Sequence, residues 1–84
     1  MTVMMPQSVL LVLDVLATSG PMPPAEISKR TEMPLRTVSF ALRKLRSLSL
    51  CRRIPNFSDM RRPLYVVDAD QARAVFLRYG WKPQ

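Results

Sequence analysis

The stretch RTVSFALRKLRSLSLCRRIPNFSDMRRPLYV, residues 36–66, holds eight arginines and lysines against a single acid, Asp59, and so accounts for the whole formal charge of +7. Guanidinium groups at this density suit anionic oxygens, because their fixed fork of N–H donors matches phosphate and the O6/N7 edge of guanine. Charge gathered in one segment raises a positive potential over one face, which fits a polyanion or an anionic membrane surface, with nucleic acid the leading partner. Covalent chemistry has little to start from. There is no histidine, and Cys51, the one cysteine, has no general base beside it. The six carboxylates are scattered, with Asp68 and Asp70 paired only across a helix start, and two glycines, Gly20 and Gly80, cannot build a phosphate-cradling loop. The sequence therefore predicts no catalytic residues, no metal site and no cofactor.

An 84-residue chain makes one domain, residues 1–84, with a core small enough that stability rests on a few kcal/mol. Apolar residues at 48% and charged residues at 23% are ordinary for a folded protein. A lone cysteine excludes an internal disulfide and fits a reducing cytoplasm. The apolar run from Val9 to Leu16 is too short to span a bilayer and lacks a basic flank, the first basic residue being Lys29, so no membrane or targeting segment is expected.

The elements that must position the arginines follow from periodicity and breakers. QSVLLVLDVLATSG is a helix stopped by Gly20-Pro21. Val9, Val12, Leu13 and Leu16 form one stripe, yet Leu10, Leu11 and Val15 lie outside it and only Asp14 is polar between residues 9 and 17. Such a helix buries more than one face: it is either central to its own domain or meets a second subunit. A short helix starts at Pro23 or Pro24 and is anchored by Ile27, and Pro34 then opens a third helix from about Leu35. Val38, Ala41, Leu42, Leu45 and Leu48 give that third helix its apolar face, opposite Arg36, Phe40, Arg43, Lys44 and Ser47. LCRRIP and RPLYVV are β-prone runs joined by the turn formers of NFSDM, giving a hairpin with two arginines on each arm, Arg52 and Arg53 on one and Arg61 and Arg62 on the other, and Pro55 and Pro63 belong at strand ends. Asp68 caps a last helix, about 69–80, in which Ala72, Val75, Phe76 and Tyr79 share a face and Gly80 is the stop. The opening MTVMMPQ is either a packed arm or frayed.

The order helix, helix, turn, helix, hairpin, helix is that of a winged helix-turn-helix: mainly α with a small β-hairpin, a three-helix core plus a two-stranded wing and a C-terminal helix. PAEISKRTEMPLRTVSFALRKLRSLSLCRR followed by SDMRRPLYVV resembles the DNA-binding domain of MarR-like and related prokaryotic winged-helix transcriptional regulators, over about residues 8–67. DMRR, residues 59–62, is similar to the Asp-x-Arg wing-tip motif of that family, in which the aspartate orients the wing and the arginine reaches the minor groove. The resemblance implies those roles for Asp59 and Arg61. The chain departs from the pattern at Glu32 and Ser49, where the family often has glycine, and at Phe40, where a polar or basic residue usually faces the groove. It is also much shorter than a typical MarR protein.

On this frame the third helix, about 35–49, enters the major groove and the wing, about 51–67, meets the minor groove or backbone. Arg36, Thr37, Ser39, Phe40 and Arg43 are the candidates for base or groove contact. Arg36 and Arg43 either pair bidentately with guanine or touch phosphate and solvent. Phe40 contacts a thymine methyl, or packs against the wing or another chain. Lys44 and Arg46 are phosphate clamps or solvated charge. Arg52, Arg53, Arg61 and Arg62 lie on the hairpin, where alternation allows about half of them to face one DNA surface. Cys51 is a buried structural thiol, or a redox group if Arg52 lowers its pKa. The expected function is a cytoplasmic, nucleoid-associated, sequence-specific regulator that binds double-stranded DNA as a homodimer through its N-terminal and C-terminal helices, the latter contributing Phe76, Leu77, Tyr79 and Trp81. The alternatives are a winged-helix adaptor in a transcription or chromosome-maintenance complex, and a non-specific DNA-coating protein.

Overall fold

A computed structural model describes residues 5–81. Four helices and one hairpin follow in the order α1 (Gln7–Ser19), α2 (Pro24–Thr31), α3 (Leu35–Ser47), β1 (Cys51–Ile54), β2 (Leu64–Val67) and α4 (Ala69–Tyr79). Mainly helical, with a two-stranded antiparallel wing, this is the arrangement expected from the sequence. No helix among the described residues is long and apolar enough to cross a membrane. Of the opening MTVMMPQ, residues 1–4 lie outside the described residues, and Met5 packs against the core.

Prolines set the starts of the first three helices and left-handed residues set most of the ends. Pro6, Pro23 and Pro34 stand at the N-caps of α1, α2 and α3, where a proline ring is already shaped for entry and its missing N–H is no loss. Asp68 caps α4 by accepting from the backbone N–H groups of Asp70 at 2.8 Å and Gln71 at 3.1 Å. Helix α2 ends at Glu32, φ 59°, and α3 runs into Ser49, φ 60°: the two departures from glycine are the two non-glycine residues in left-handed backbone among those described. At Ser49 the ending is a Schellman motif, with Leu50 N–H donating to Leu45 O at 2.9 Å and Ser49 N–H to Arg46 O at 3.0 Å. Gly80, φ 68°, ends α4 with the same outer bond, Trp81 N–H donating to Phe76 O at 2.9 Å, while Gly80 N–H donates to that carbonyl too.

Helix α1 is the hub. It packs against α2, α3, α4 and β2, and buries Val9, Leu10, Val12, Leu13, Asp14 and Leu16. Val15 and Ala17 are half-buried against the same core. Of the two readings of its all-round apolar surface, the domain's own elements therefore take up most of it. Ile27 from α2, Val38, Ala41, Leu42 and Leu45 from α3, and Ala72 and Phe76 from α4 complete the core with Met22 and Cys51. Each fully buried Leu or Ile contributes roughly 1.5–3 kcal/mol.

Three local expectations need correction, and one contact adds to them. Leu48 is exposed rather than on the apolar face, because the Schellman turn ends α3 at Ser47 and breaks the period before Leu48 and Ser49. Arg61 and Arg62 are not on a strand arm: β1 and β2 pair Cys51 with Val67 through Ile54 with Leu64, and the nine residues between them, bounded by Pro55 and Pro63, form a loop that carries both arginines. Phe76, read as part of a surface for a second subunit, is core, at 7% exposure. Finally, Met22 in the proline-rich connection adds a bridge to β2, exchanging backbone hydrogen bonds with Tyr65 at 3.0 and 3.3 Å.

Candidate nucleic-acid interface

The apolar stripe of α3 seats it on α1, which leaves Arg36, Ser39, Phe40, Arg43, Arg46 and Ser47 exposed, with Thr37 and Lys44 half-buried. Three shallow hollows then bring this face and the wing together. Phe40, Arg43, Lys44 and Ser47 line the first, entirely from α3. Ser39, Leu42, Arg43, Arg46 and Ser47 of α3 line the second, closed by Pro24 at the start of α2 and by Tyr65 of β2. Arg46, Ser49, Cys51, Arg52 and Arg53 line the third, at the step from helix into wing.

The hollows share Arg43, Ser47 and Arg46, so they form one concave band from Phe40 to Arg53. Four arginines and a lysine line it. Arg46, a flanking charge on the helical wheel, borders two of the three hollows. What places it there is the antiparallel ladder, since the hairpin lays β1 beside the C-terminal end of α3. Tyr65 joins the band by the same route. Arg36 and Thr37, in the first turn of α3, border none of these hollows.

Arg61 and Arg62 stand apart at the wing tip, ordered by Asp59. The aspartate Oδ1 accepts from Arg61 N–H at 3.1 Å and lies 3.5 Å from Arg61 Nε, while Oδ2 lies 3.6 Å from Arg62 Nε. Arg62 N–H also donates to Asp59 O at 2.9 Å. These exposed pairs add little stability, but they restrict where two long side chains can point. The Arg61 side chain remains 91% exposed.

Cys51 enters β1 from the core side and is buried. Burial pushes its thiol above the ordinary value; the backbone of Val66 and the Arg46 guanidinium oppose this more weakly. A thiol so placed stays protonated and packs, as a structural cysteine does. The neighbouring cation that acts on it is Arg46 rather than Arg52.

No protein-family model and no curated protein matches the chain. Solved structures do. The chain is similar to a MarR mutant from E. coli (22% identity, TM-score 0.81, 90% of this chain and 58% of the other). BpsR from Bordetella bronchiseptica, whose DNA binding is regulated by 6-hydroxynicotinic acid, is similar at 20% identity and a TM-score of 0.79, over 90% of this chain and 56% of that one. The transcriptional regulator Tm0710 from Thermotoga maritima aligns at 20% identity and a TM-score of 0.74, over 83% and 49%. The chain thus spans about half the length of these neighbours. Its fold is the winged helix-turn-helix of MarR-type regulators.

Proposed function

We propose that this protein is a sequence-specific regulator of transcription that binds double-stranded DNA, with α3 in the major groove and the hairpin against the minor groove or backbone. The observation that carries the proposal is the continuous band formed by Phe40, Arg43, Lys44, Arg46, Arg52 and Arg53 on the side of α3 opposite its buried stripe. Its roles divide by position. Arg36 and Arg43 read guanine, Thr37 and Ser39 contact the groove, and Phe40 meets a thymine methyl. Lys44, Arg46, Arg52 and Arg53 hold phosphates, and Asp59 sets the wing so that Arg61 reaches the minor groove with Arg62 beside it.

DNA binding in BpsR and transcriptional regulation in Tm0710 support the same reading in proteins of this fold. The protein acts as a cytoplasmic, nucleoid-bound homodimer through α1 and α4, where Leu77 is 78% exposed and Leu11 half-buried. Two-fold symmetry then gives a pseudo-palindromic site with half-sites about one helical turn apart.

Selection of binding sites from a pool of random duplexes tests this. The proposal expects a pseudo-palindrome to be enriched, and an affinity whose logarithm falls against log salt with a slope of about −4 to −5, as for roughly five neutralised phosphates. A steep salt slope without enrichment would mark a coating protein, and no duplex binding would mark an adaptor. Light scattering that finds only monomer at tens of micromolar would remove the dimer.

A further inference from the structure

Phe57 is the most exposed large apolar side chain among the described residues, at 88%, and it lies in the wing loop that also carries Arg61 and Arg62. Hydrogen bonds within the loop hold its backbone. Asp59 N–H donates to Asn56 O at 3.1 Å and Arg62 N–H to Asp59 O at 2.9 Å, which makes two successive turns. Side chains brace each: Asn56 Oδ1 accepts from Ser58 N–H and Asp59 Oδ1 from Arg61 N–H, both at 3.1 Å. Phe57 is therefore the second residue of the first turn, and Met60 and Arg61 are the middle residues of the second. Pro55 and Pro63 bracket the loop, and with Met60, Arg53 and Ile54 they line a hollow behind the tip.

A core position would suit Phe57 better than water, and among the described residues nothing covers it. The charge around it selects the occupant. One carboxylate, Asp59, faces two guanidiniums, Arg61 and Arg62, so the tip is cationic as well as apolar. The same hairpin carries Arg52 and Arg53 into the basic band, and Arg53 borders both that band and the hollow behind the tip, so the tip is joined to the proposed DNA interface through Arg53. In the minor groove, arginine is drawn by negative potential, and an apolar wedge beside it can part a base step and kink the duplex.

We infer that Phe57 is such a wedge: with Arg61 in the minor groove, its ring enters a base step and bends the bound DNA. This rests on the DNA-binding reading above and adds deformation of the duplex to it. Pyrimidine–purine steps, which unstack most easily, are then favoured under the wing at positions that α3 does not touch.

The test uses ~30-base-pair duplexes, long enough for two half-sites, with 2-aminopurine at TA steps and a fluorophore pair at the ends. Wild type, Phe57→Ala and Phe57→Leu are compared. Wild type is expected to brighten 2-aminopurine and shorten the end-to-end distance. Phe57→Ala should lose both and bind roughly fivefold or more weakly, with the salt slope unchanged, while Phe57→Leu keeps part of the bend. A Phe57→Ala protein that binds and bends DNA like wild type overturns the wedge alone. Wild type that binds no duplex overturns the wedge together with the DNA reading. Binding to phosphatidylglycerol vesicles that depends on Phe57, with straight bound DNA, overturns it in favour of a membrane surface.

Discussion

Helices α1 and α3 have the same length, thirteen residues, and opposite occupations. Helix α1 lies among four other elements and buries six residues, Asp14 among them. Helix α3 buries four residues on one stripe and turns its cations outward. The difference teaches that stability and the proposed recognition fall to different surfaces, which meet through the stripe of α3 and through β2. Substitutions in α1 should therefore change unfolding, and those on the outer face of α3 should change binding.

The largest effect should come from α1 itself. Leu16→Ala is expected to lower the unfolding free energy by about 2–5 kcal/mol in a urea titration, a large part of what so small a domain has. A loss under about 1 kcal/mol would break the picture of α1 as hub. Next comes the exit of that helix, where Gly20 has φ 86° and ψ −174°, a conformation essentially restricted to glycine. A Cβ there would meet nothing within 4 Å, so Gly20→Ala should cost about 1–3 kcal/mol through backbone strain alone.

A smaller, reciprocal pair sharpens the comparison at the helix ends. Ser49 and Gly80 occupy equivalent places in two Schellman motifs. Ser49→Gly should raise the midpoint of thermal unfolding and Gly80→Ser should lower it, each by the equivalent of about 0.5–1 kcal/mol. Smallest in stability is the outer face of α3. Arg46→Ala should stay within about 0.5 kcal/mol of wild type while reducing the salt slope of DNA binding by about one. Destabilisation as large as that of Leu16→Ala would mean that Arg46 belongs to the scaffold.

Much of this division is legible in the residues. The Pro23-Pro24 pair and Pro34 stand where helices begin, Asp68 caps, and the spacing of Val38, Ala41, Leu42 and Leu45 marks the face of α3 that docks. What escapes is whatever depends on two distant segments meeting. The bridge between Met22 and Tyr65 is a single exchange of backbone hydrogen bonds from a proline-rich connection, and it has no period to reveal it. Arg46 joins two hollows only because the hairpin folds back beside α3. Leu48 keeps the helical spacing but sits in the turn that ends α3 just before the left-handed Ser49, and there the resemblance to a family with glycine, not the serine itself, carries the signal. For Arg61 and Arg62, alternation gave the wrong element, because the strand begins after Pro63 rather than before it.

The most direct test of the central claim, that the outer face of α3 reads DNA sequence, is fluorescence anisotropy of wild type and Arg43→Ala. Each would be titrated with the selected duplex and a scrambled duplex of equal length over a salt series. Wild type is expected to prefer the selected site by about tenfold or more, as one good bidentate arginine–guanine pair allows, and Arg43→Ala to lose that margin while remaining folded. An Arg43→Ala protein that discriminates as well as wild type would contradict that claim.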